Sequence, residues 1–474
     1  MSNSPILFVD LDNTLTRSDF FLEPLLRLLR KDPMVILLLP LWLIHGRGYF
    51  KKQLSDRISI DVTEIPFDDK VLEYLSQEHK AGRKIVLATA SNQVFANQVA
   101  NHLGIFDHVI ASSLDLNTKG KNKLAAMKRY AGEQSFDYVG DSHADILIWK
   151  HINRALVVSP QPGVLKRLKK LSVPVELVHP APAFAVYLKA LRPWQWLKNS
   201  LIFVPMILAK QLFDPTSFIA CIVAFISFSL VASAGYLTND LLDLEVDRKH
   251  PRKNKRPIAA GILSLWNIVF LIASLLLGGL IFAWTISTDL ALLLLLYFMV
   301  VLAYSLELKR HALLDVILIA GFYATRIIAG GLAAGVEISF WLLAFSMFIF
   351  LSLALVKRCT EIRSDSGRKS DNLIPGRGYY KDDEPLLTTM GVSSGYLAIV
   401  VIALYLNSDE VAALYNSPQS LWLVCPLILY WISRMWLKTR RDEMDDDPLI
   451  FALRDKVSLI IGGLLALVIL LATL

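Results

Sequence analysis

The sequence predicts two domains of different class, an N-terminal Rossmann-like α/β domain with a small helical cap and a C-terminal all-α transmembrane bundle of about nine helices. A chain of 474 residues exceeds what one hydrophobic core usually organises. Residues 1–180 mix charged and apolar positions, whereas the remainder carries apolar runs long enough to cross a bilayer. We therefore expect a soluble domain at 1–180, a linker at 181–193 and a membrane domain at 194–474.

The α/β prediction rests on short apolar or β-branched runs that alternate with helical patterns. The helical patterns include residues 92–103, 121–131 and 162–171. Such alternation is typical of a parallel sheet with helices on its faces. The runs predicted as strands are 6–12, 84–90, 108–113, 136–141, 154–159 and 174–178.

A strongly apolar segment, Pro33–Ile44 (PMVILLLPLWLI), follows the first predicted strand. It is too short to span a bilayer, because a spanning helix needs about 20 apolar residues. Its position predicts a helical cap. Two interpretations stay open: the segment rests on the membrane surface, or it is a buried helix of the core.

The membrane prediction rests on the apolar runs that follow the linker sequence His179-Pro-Ala-Pro-Ala. Loops on one side of these runs are rich in Lys and Arg, and such loops lie in the cytoplasm. We therefore expect a protein of a bacterial-type inner membrane, with its N-terminal domain in the cytoplasm and its C-terminus on the opposite side. The predicted helices are 197–213, 216–238, 263–286, 290–306, 313–333, 338–356, 391–406, 419–437 and 457–473.

Charge and cysteine content exclude some classes of partner and site. The formal net charge is +7, but the basic residues lie in short loops between apolar segments, without a basic stripe of interleaved aromatics. We therefore predict no nucleic-acid partner. Cys221, Cys359 and Cys425 have neither CxxC spacing nor an even count. They predict neither a disulfide nor a zinc site.

Two acidic residues end the first predicted strand, in the sequence Asp10-Leu-Asp12-Asn-Thr14. Both carboxylates should project from the C-terminal edge of the sheet, where open α/β sheets bind ligands. An Asp there can attack phosphorus, and a second Asp two residues later can protonate the leaving group. Alone the motif is weak, because Asp-x-Asp after a strand is also an ordinary polar turn.

Other strand ends add groups suited to phosphate chemistry. Thr89 ends the strand KIVLATA and can hold a phosphate oxygen, while Lys119 or Lys123 can neutralise the transferring group. Asp141 and Asp145 follow another strand and offer oxygen ligands to Mg²⁺. Four such features in order, each at a strand end, predict a phosphatase site.

This arrangement resembles the haloacid-dehalogenase (HAD) superfamily of phosphatases over about residues 5–178. The resemblance implies that Asp10 is the nucleophile, Asp12 the general acid and base, and Thr89 the phosphate holder. It implies a stabilising lysine, either Lys123 or Lys119. The implied Mg²⁺ ligands are Asp10, Asp12 and Asp141, with Asp145 supporting the lysine or the metal.

A second acidic cluster follows the predicted helix 216–238. Asn239, Asp243 and Asp247 recur every four residues, so on a helix they share one face, with Asp240 alongside. Carboxylates crowded on one face repel each other unless a cation bridges them, and Mg²⁺ carrying a diphosphate does so. We therefore predict that these four residues bind Mg²⁺ and substrate.

Basic and polar residues at other helix ends share the predicted cytoplasmic side. They can converge on one polyanionic ligand. Each outer Lys or Arg also suits a simpler role as an anchor for loops or lipid headgroups. The candidates are Arg248, Lys249, Arg252, Lys253, Lys255 and Arg256 after the acidic cluster, Tyr304 and Lys309 after the fourth helix, and Lys357, Arg358, Glu361 and Asp365 at the end of the sixth.

The NDxxDxxxD pattern after a transmembrane helix resembles the UbiA superfamily of intramembrane prenyltransferases, over about residues 185–474. The resemblance implies a nine-helix bundle in which two acidic motifs hold Mg²⁺ and a diphosphate. Asn239, Asp240, Asp243 and Asp247 match the first motif, and Glu361 with Asp365 occupies the second as ExxxD where many members have DxxxD.

Residues 304–331 (YSLELKRHALLDVILIAGFYATRIIAGG) are similar to the branch that transfers phosphoribose from phosphoribosyl pyrophosphate (PRPP) to a polyprenyl phosphate. In that branch the lipid phosphate attacks C1 of the ribose as pyrophosphate leaves on Mg²⁺. Asp315 and Arg326 lie within an apolar helix, where they contact substrate or pair with each other. The implied phosphate holders are Lys309, Arg326, Lys357 and Arg358.

Together the two resemblances imply a two-step enzyme that transfers phosphoribose to an isoprenoid lipid phosphate and then removes the 5-phosphate. The alternative is prenyl transfer from a prenyl diphosphate to an aromatic or other acceptor. In that case the HAD part is regulatory or acts on another phosphomonoester. A transporter is disfavoured, because a conduction path needs weak binding rather than a polyanion trap.

Overall fold

The chain forms two compact units: Met1–Leu191 with Tyr236–Ile272, and Arg192–Gly235 with Ala273–Leu474. The first unit therefore takes in a segment that, in sequence, connects two apolar helices. The structure is a computed structural model and describes residues 4–113, 117–152, 154–171, 173–365, 372–374, 377–408, 411, 415–445 and 447–473.

A six-stranded sheet of order β3-β2-β1-β4-β5-β6, with every adjacent pair parallel, organises the first unit. The six predicted strands are confirmed. Side chains alternate between its faces: Leu7 and Val9 pack into one buried cluster, Ile6 and Phe8 into another. The strands are β1 (Ile6–Val9), β2 (Ile85–Asn92), β3 (His108–Ser112), β4 (Phe136–Gly140), β5 (Ala155–Val158) and β6 (Val175–His179).

The helices of residues 1–191 follow the predicted alternation with the strands, and the three predicted helical patterns are confirmed. Three 3₁₀ turns, Pro33–Leu37, Val62–Glu64 and His143–Asp145, accompany them in the described part of this region. The α-helices are α1 (Leu22–Lys31), α2 (Leu39–Ile44), α3 (Arg47–Arg57), α4 (Asp69–Lys80), α5 (Gln93–Leu103), α6 (Lys121–Ala131), α7 (Ile146–Trp149), α8 (Val164–Lys170) and α9 (Phe184–Leu191).

The cap is the helical insertion between β1 and β2, as predicted. Its apolar segment, residues 33–44, is not a core helix, because only Val35 and Trp42 of that segment are buried. The guanidinium of Arg57 lies 4.7 Å from the centroid of the Trp42 ring. Leu39 is partly buried and packs against the same core, whereas the other large apolar side chains of the segment are exposed.

From residue 192 onward, the described residues are mainly helical. It begins with a 3₁₀ segment, Pro193–Phe203, and short 3₁₀ turns also occur at Lys253–Lys255, Leu308–Arg310, Lys381–Asp383 and Pro418–Leu423. The α-helices are α10 (Val204–Leu208), α11 (Pro215–Leu242), α12 (Leu244–Lys249), α13 (Leu265–Ile286), α14 (Thr288–Leu306), α15 (Leu314–Ala334), α16 (Phe340–Asp365), α17 (Glu384–Leu406), α18 (Val424–Arg440), α19 (Pro448–Arg454) and α20 (Lys456–Thr473).

Within the described ranges, seven helices are long and apolar enough to span a membrane, or eight if α19 and α20, bent by 80°, form one broken span. They correspond to eight of the about nine predicted helices, all except 197–213. The first predicted span, 197–213, is a 3₁₀ segment followed by the short helix α10. Pro193 and Pro205 each lie in the first turn of one of these two segments, where the missing backbone N–H is tolerated. Because Pro205 cannot donate to the preceding turn, the two segments do not join into one regular helix.

Residues 236–272 are joined to the cap by buried polar contacts. Glu23 is buried, and its carboxylate accepts hydrogen bonds from Arg248 at 2.7 and 3.0 Å. Trp266 donates its indole N–H to Asp19 at 2.9 Å, and its ring stacks on Phe21 with centroids 6.3 Å apart. This segment therefore folds as part of the unit that contains the sheet.

Candidate functional site

Carboxylates from neighbouring strands meet at the C-terminal edge of the sheet. Asp10 directly follows β1 and Asp141 directly follows β4, and these strands pair through Val9 and Val139. Asp145 lies in the 3₁₀ turn after β4. Oxygens of Asp10, Asp141 and Asp145 lie within 4.8 Å of one another, and all three residues are buried. Parallel strands thus bring together three of the predicted residues.

Lys123 is the lysine at this site. Its Nζ lies 3.0 Å from Asp10 Oδ1 and 3.8 Å from Asp145 Oδ1, and it donates to the Tyr138 hydroxyl at 2.7 Å. The Tyr138 hydroxyl in turn donates to Asp145 at 2.7 Å. Lys119, the alternative, is exposed. The start of α6 thus places one cation against the predicted nucleophile.

Asp12 points to a different set of partners. Its Oδ2 accepts from Ser91 Oγ at 2.5 Å and from Thr89 Oγ1 at 3.4 Å, and its Oδ1 accepts from the Phe20 amide at 2.7 Å. Burial, together with the charge of Asp19, raises the pKa of Asp12 to about 7. A carboxyl with that pKa can carry a proton at neutral pH, as a general acid requires.

The group of Asp10, Asp141 and Asp145 fits a hard divalent cation. Burial and the neighbouring carboxylates of Asp145 and Asp10 raise the pKa of Asp141 well above its usual value. Clustered carboxylates repel one another, and a bound Mg²⁺, which takes oxygen ligands, would relieve this repulsion. Asp12, predicted as a ligand, lies outside the group formed by the described residues, because its carboxylate is turned to Ser91.

Gly140 leaves room for this constellation. A Cβ at this position would lie 2.7 Å from Cε1 of Tyr138 and 3.0 Å from Cγ of Asp145. Gly140→Ala is expected to displace both side chains, to destabilise the fold by about 1–3 kcal/mol, and to lower phosphomonoester hydrolysis. Thermal unfolding and kinetics on a small phosphomonoester measure both effects. Gly462→Ala, at a helical glycine with open space around it, should change neither, and equal losses in both variants would refute the clash.

The first acidic motif lies at the end of α11 and in α12. The amide of Asp243 bonds to the carbonyl of Asn239 at 2.9 Å, and that of Asp247 to Asp243 at 2.8 Å. The four-residue repeat therefore shares one helical face, as predicted. Arg256 bridges Asp240 and Asp247 from one Nη1, at 3.0 and 2.5 Å.

Two properties of the motif fit a cation with phosphate ligands. Asp240 and Asp247 are buried, and burial raises the pKa of Asp247 despite the nearby Arg256. Asp243 Oδ1 lies 3.5 Å from Nη2 of Arg30, a cap residue. Among the described residues, the carboxylates of this motif do not converge as closely as those of Asp10, Asp141 and Asp145. They are still the type of oxygen ligand that Mg²⁺ prefers, and the arginines beside them can bind a polyanion.

In the second unit, the ion pair between Asp315 and Arg326, one of the two interpretations of these residues, is not formed. Asp315 and Arg358 are both fully buried and pair at 2.5 Å, in a contact not aligned as a hydrogen bond, and the Tyr379 hydroxyl donates to Asp315. Arg358 also pairs with Glu361. Asp315 and Arg326 lie three turns apart on α15, too far to meet, and helix α16 supplies the nearer cation.

Arg326 has partners of its own. Its Nε donates to Asn199 Oδ1 at 2.8 Å, and it also donates to the carbonyl of Phe322. Its guanidinium lies 4.7 Å from the ring centroid of Phe228 and within 5.8 Å of those of Tyr297 and Tyr323. A cation in an apolar helix is costly, and here three aromatic rings stabilise it, which keeps Arg326 a candidate site residue.

Several polar residues near the end of α16 were not singled out from the sequence. Lys198 forms a buried ion pair with Asp447. Arg377 donates to the Tyr304 hydroxyl at 3.0 Å and lies 3.6 Å from Glu361. Their signal in the sequence was weak, since Lys198 and Asp447 are 249 residues apart. Of the remaining predicted residues, Lys309 is buried and Lys357 half-buried, and the side chain of Asp365 lies outside the described residues.

The UbiA prenyltransferase family model matches residues 200–460, which is more than half of the chain. The chain belongs to the UbiA prenyltransferase family. A second model, of haloacid dehalogenase-like hydrolases, matches residues 7–148 of this UbiA protein. Both matches indicate an enzyme, and the apolar helices of a UbiA protein indicate an integral membrane protein.

Relatives of this UbiA protein differ in how much of it they cover. An uncharacterized protein, y4nM, of Sinorhizobium fredii is 38% identical over 466 residues, covering 97% of this chain and 89% of the relative. Nodulation protein NoeC of Azorhizobium caulinodans is 34% identical over 292 residues, covering 58% of this chain and 90% of NoeC. A decaprenyl-phosphate phosphoribosyltransferase of Mycolicibacterium smegmatis is 38% identical over 180 residues, covering 37% of this chain and 57% of that enzyme.

Proposed function

We propose that this UbiA protein transfers phosphoribose from PRPP to a polyprenyl phosphate and then removes the 5-phosphate of the product at Asp10. The observation that carries the proposal is a HAD-type constellation, with Lys123 against Asp10, in one chain with a UbiA part similar to a decaprenyl-phosphate phosphoribosyltransferase. A tethered phosphatase meets such a product at high effective concentration.

In the transfer step, a phosphate oxygen of the lipid attacks C1 of the ribose, the bond from C1 to the pyrophosphate oxygen breaks, and pyrophosphate leaves. Asn239, Asp240, Asp243 and Asp247 are the residues that would hold Mg²⁺, which neutralises charge on the departing pyrophosphate. Arg256 is placed to bind the same polyanion, because its guanidinium already bridges two of these carboxylates.

In the second unit we assign anion binding to Lys309, Lys357 and Arg326, with Tyr304 and Arg377 beside Glu361. Arg358 instead holds Asp315 and Glu361 in position, since it is fully buried between them. An apolar pocket of about 170 Å³ between α14 and α15 includes Tyr297, whose ring also flanks Arg326. It supports an isoprenoid tail beside a buried cation.

In the second step, Asp10 attacks the 5-phosphate phosphorus and the P–O bond to the ribose breaks. Asp12 protonates the departing 5-oxygen, and then activates the water that releases inorganic phosphate from the aspartyl group. Lys123 neutralises the transferring group, and Thr89 would bind one of its oxygens. Mg²⁺, held by Asp10 and Asp141 with Asp145 nearby, would supply further charge neutralisation.

We also propose that the phosphatase site faces the cytoplasm of a bacterial-type cell and that the C-terminus lies on the opposite side. That orientation needs the segment 193–208 to cross the membrane. Eleven 3₁₀ residues and five α-helical ones would extend about 30 Å, enough for one crossing. Gly330 supports close packing of this segment, because a Cβ there would meet the Ile202 carbonyl oxygen.

The deciding experiment is mass spectrometry of lipids after the purified protein has been incubated with polyprenyl phosphate, PRPP and Mg²⁺. Wild type is expected to yield the ribosyl lipid, and Asp10→Asn to accumulate its 5-phosphate. If neither protein forms a pentose-lipid, the donor is wrong. A prenyl diphosphate with aromatic acceptors, which the family name favours, is then the reaction to test. If Asp10→Asn forms the same final lipid at the same rate, the phosphatase step is wrong.

A further inference from the structure

The apolar segment of the cap, residues 33–44, presents a continuous uncovered hydrophobic surface. Its side chains are among the most exposed large apolar groups of the first unit, from 40% for Leu38 to 79% for Ile44. A soluble protein rarely leaves such a patch in water without a partner. The exposed members are Met34, Ile36, Leu37, Leu38, Leu41, Leu43 and Ile44.

The other face of the segment is firmly anchored. Trp42 is buried and packs edge-on against Phe50 with ring centroids 5.6 Å apart, while Val35 lies in the core cluster of the cap. The exposed side chains therefore project from a segment whose other face is packed against the cap. Their exposure is a property of the fold, because Val35 and Trp42 already fill the inward positions.

Helix α1, which leads into this segment, is held at both ends by residues that begin or end apolar spanning helices. Just before α1, Asp19 accepts a hydrogen bond from Trp266, and Phe21 stacks on the Trp266 ring. Trp266 is the second residue of α13. At its C-terminal end, Arg30 donates to the carbonyl of Leu242, the last residue of α11, at 3.2 Å. The residues at both ends of α1 therefore contact the terminal residues of two helices that are long and apolar enough to span a bilayer.

The apolar segment begins only three residues after Arg30. Since the ends of spanning helices lie near the membrane boundary, we infer that the segment starts close to it, and Trp266 has the side chain that prefers this boundary. A helical segment with one packed face and one apolar face suits burial in the interfacial layer of a bilayer. A protein partner would have to compete with lipid at this depth.

We propose that residues 33–44 insert into the adjoining leaflet and hold the cap on the membrane surface. The occupant of the patch is the acyl-chain region of the bilayer. The inference rests on the contacts of α1 and on the membrane class of the protein, and it stands whether or not PRPP is the donor. For a phosphatase acting on a lipid-linked phosphomonoester, such an anchor keeps the site at the depth of its substrate.

The test uses the full chain in phospholipid vesicles that contain a photoactivatable diazirine phospholipid, followed by trypsin digestion and mass spectrometry. The tryptic peptide 32–47 carries the segment, and the peptide 155–166 from β5 and the start of α8 is the control. We expect peptide 32–47 to carry at least about tenfold more lipid label than peptide 155–166, at a level comparable to peptides of the spanning helices. Equal labelling of the two soluble-unit peptides would overturn the proposal.

A variant pair tests which side chains are responsible. Ile36→Ser with Leu37→Ser and Ile44→Ser should reduce label on peptide 32–47 to the control level. The same change at exposed apolar positions elsewhere, Val94→Ser with Leu171→Ser, should leave it unchanged. The wild-type measurement decides by itself if the first variant fails to fold. A photo-crosslinking amino acid at position 37 should form lipid adducts, and adducts joining two chains would assign the patch to a second copy and refute insertion.

Discussion

Replacing Lys123 with methionine is expected to lower phosphomonoester hydrolysis by about 100- to 1,000-fold, because the transferring phosphoryl group loses its nearest protein cation. The change also leaves two buried carboxylates, Asp10 and Asp145, without the ammonium that lies 3.0 and 3.8 Å from them. Breaking a buried ion pair costs about 3–5 kcal/mol. Thermal unfolding should therefore shift downward together with the rate.

Lys119→Met is the matched control for this prediction. Lys119 precedes the same helix and carries the same charge, but it is exposed. We expect its rate and unfolding temperature to stay close to those of wild type. Kinetics on a small water-soluble phosphomonoester, with both variants measured at one Mg²⁺ concentration, distinguish the two lysines. A larger loss in Lys119→Met than in Lys123→Met would contradict the site described above.

The second large effect is expected at the first acidic motif. Asp240→Asn should lower formation of the pentose-lipid by about 100-fold or more, because a neutral amide holds a cation and its pyrophosphate far less well than a carboxylate. The buried position of Asp240 beside Arg256 makes the charge hard to replace by solvent. Lipid mass spectrometry at several Mg²⁺ concentrations measures the loss, which higher Mg²⁺ should partly restore.

Glu245→Gln provides the comparison for Asp240→Asn. The Glu245→Gln substitution removes one negative charge from the same stretch of chain. The Glu245 side chain, however, is half-exposed and pairs with Lys249 at 3.2 Å. Exposed ion pairs contribute only about 0–1 kcal/mol, so a change of less than threefold is expected. If both variants lose pentose-lipid formation equally, the activity depends on the net negative charge near α12. That result would refute a specific cation site.

The sequence predicted the sheet and its site well, because both depend on local patterns. Asp10 and Asp141 were found from their places after apolar strands, and parallel pairing then brings them together. Choosing between Lys119 and Lys123 needed the structure, since the point at which α6 begins decides which ammonium reaches Asp10. Tyr138 was missed because a tyrosine within a strand reads as a core residue.

The second unit was less predictable because its polar contacts join distant parts of the chain. The sequence left Asp315 either contacting substrate or paired with Arg326 on the same helix, whereas the structure supplies Arg358 from another helix. The first membrane segment was predicted as one regular helix from hydropathy, which does not register the proline at position 205 as a break. Long-range ion pairs and helix interruptions have no periodic signal.

The sharing of residues 236–272 with the first unit bears on how the protein can be taken apart. A protease that cuts between His179 and Phe184 severs the backbone there but leaves the salt bridge from Glu23 to Arg248 and the hydrogen bond from Trp266 to Asp19 intact. The nicked polypeptide should therefore sediment as one particle in detergent. Recombinant truncations that begin after the linker would strip Arg248 of its buried counter-ion, so the two catalytic halves cannot be exchanged between relatives as simple cassettes.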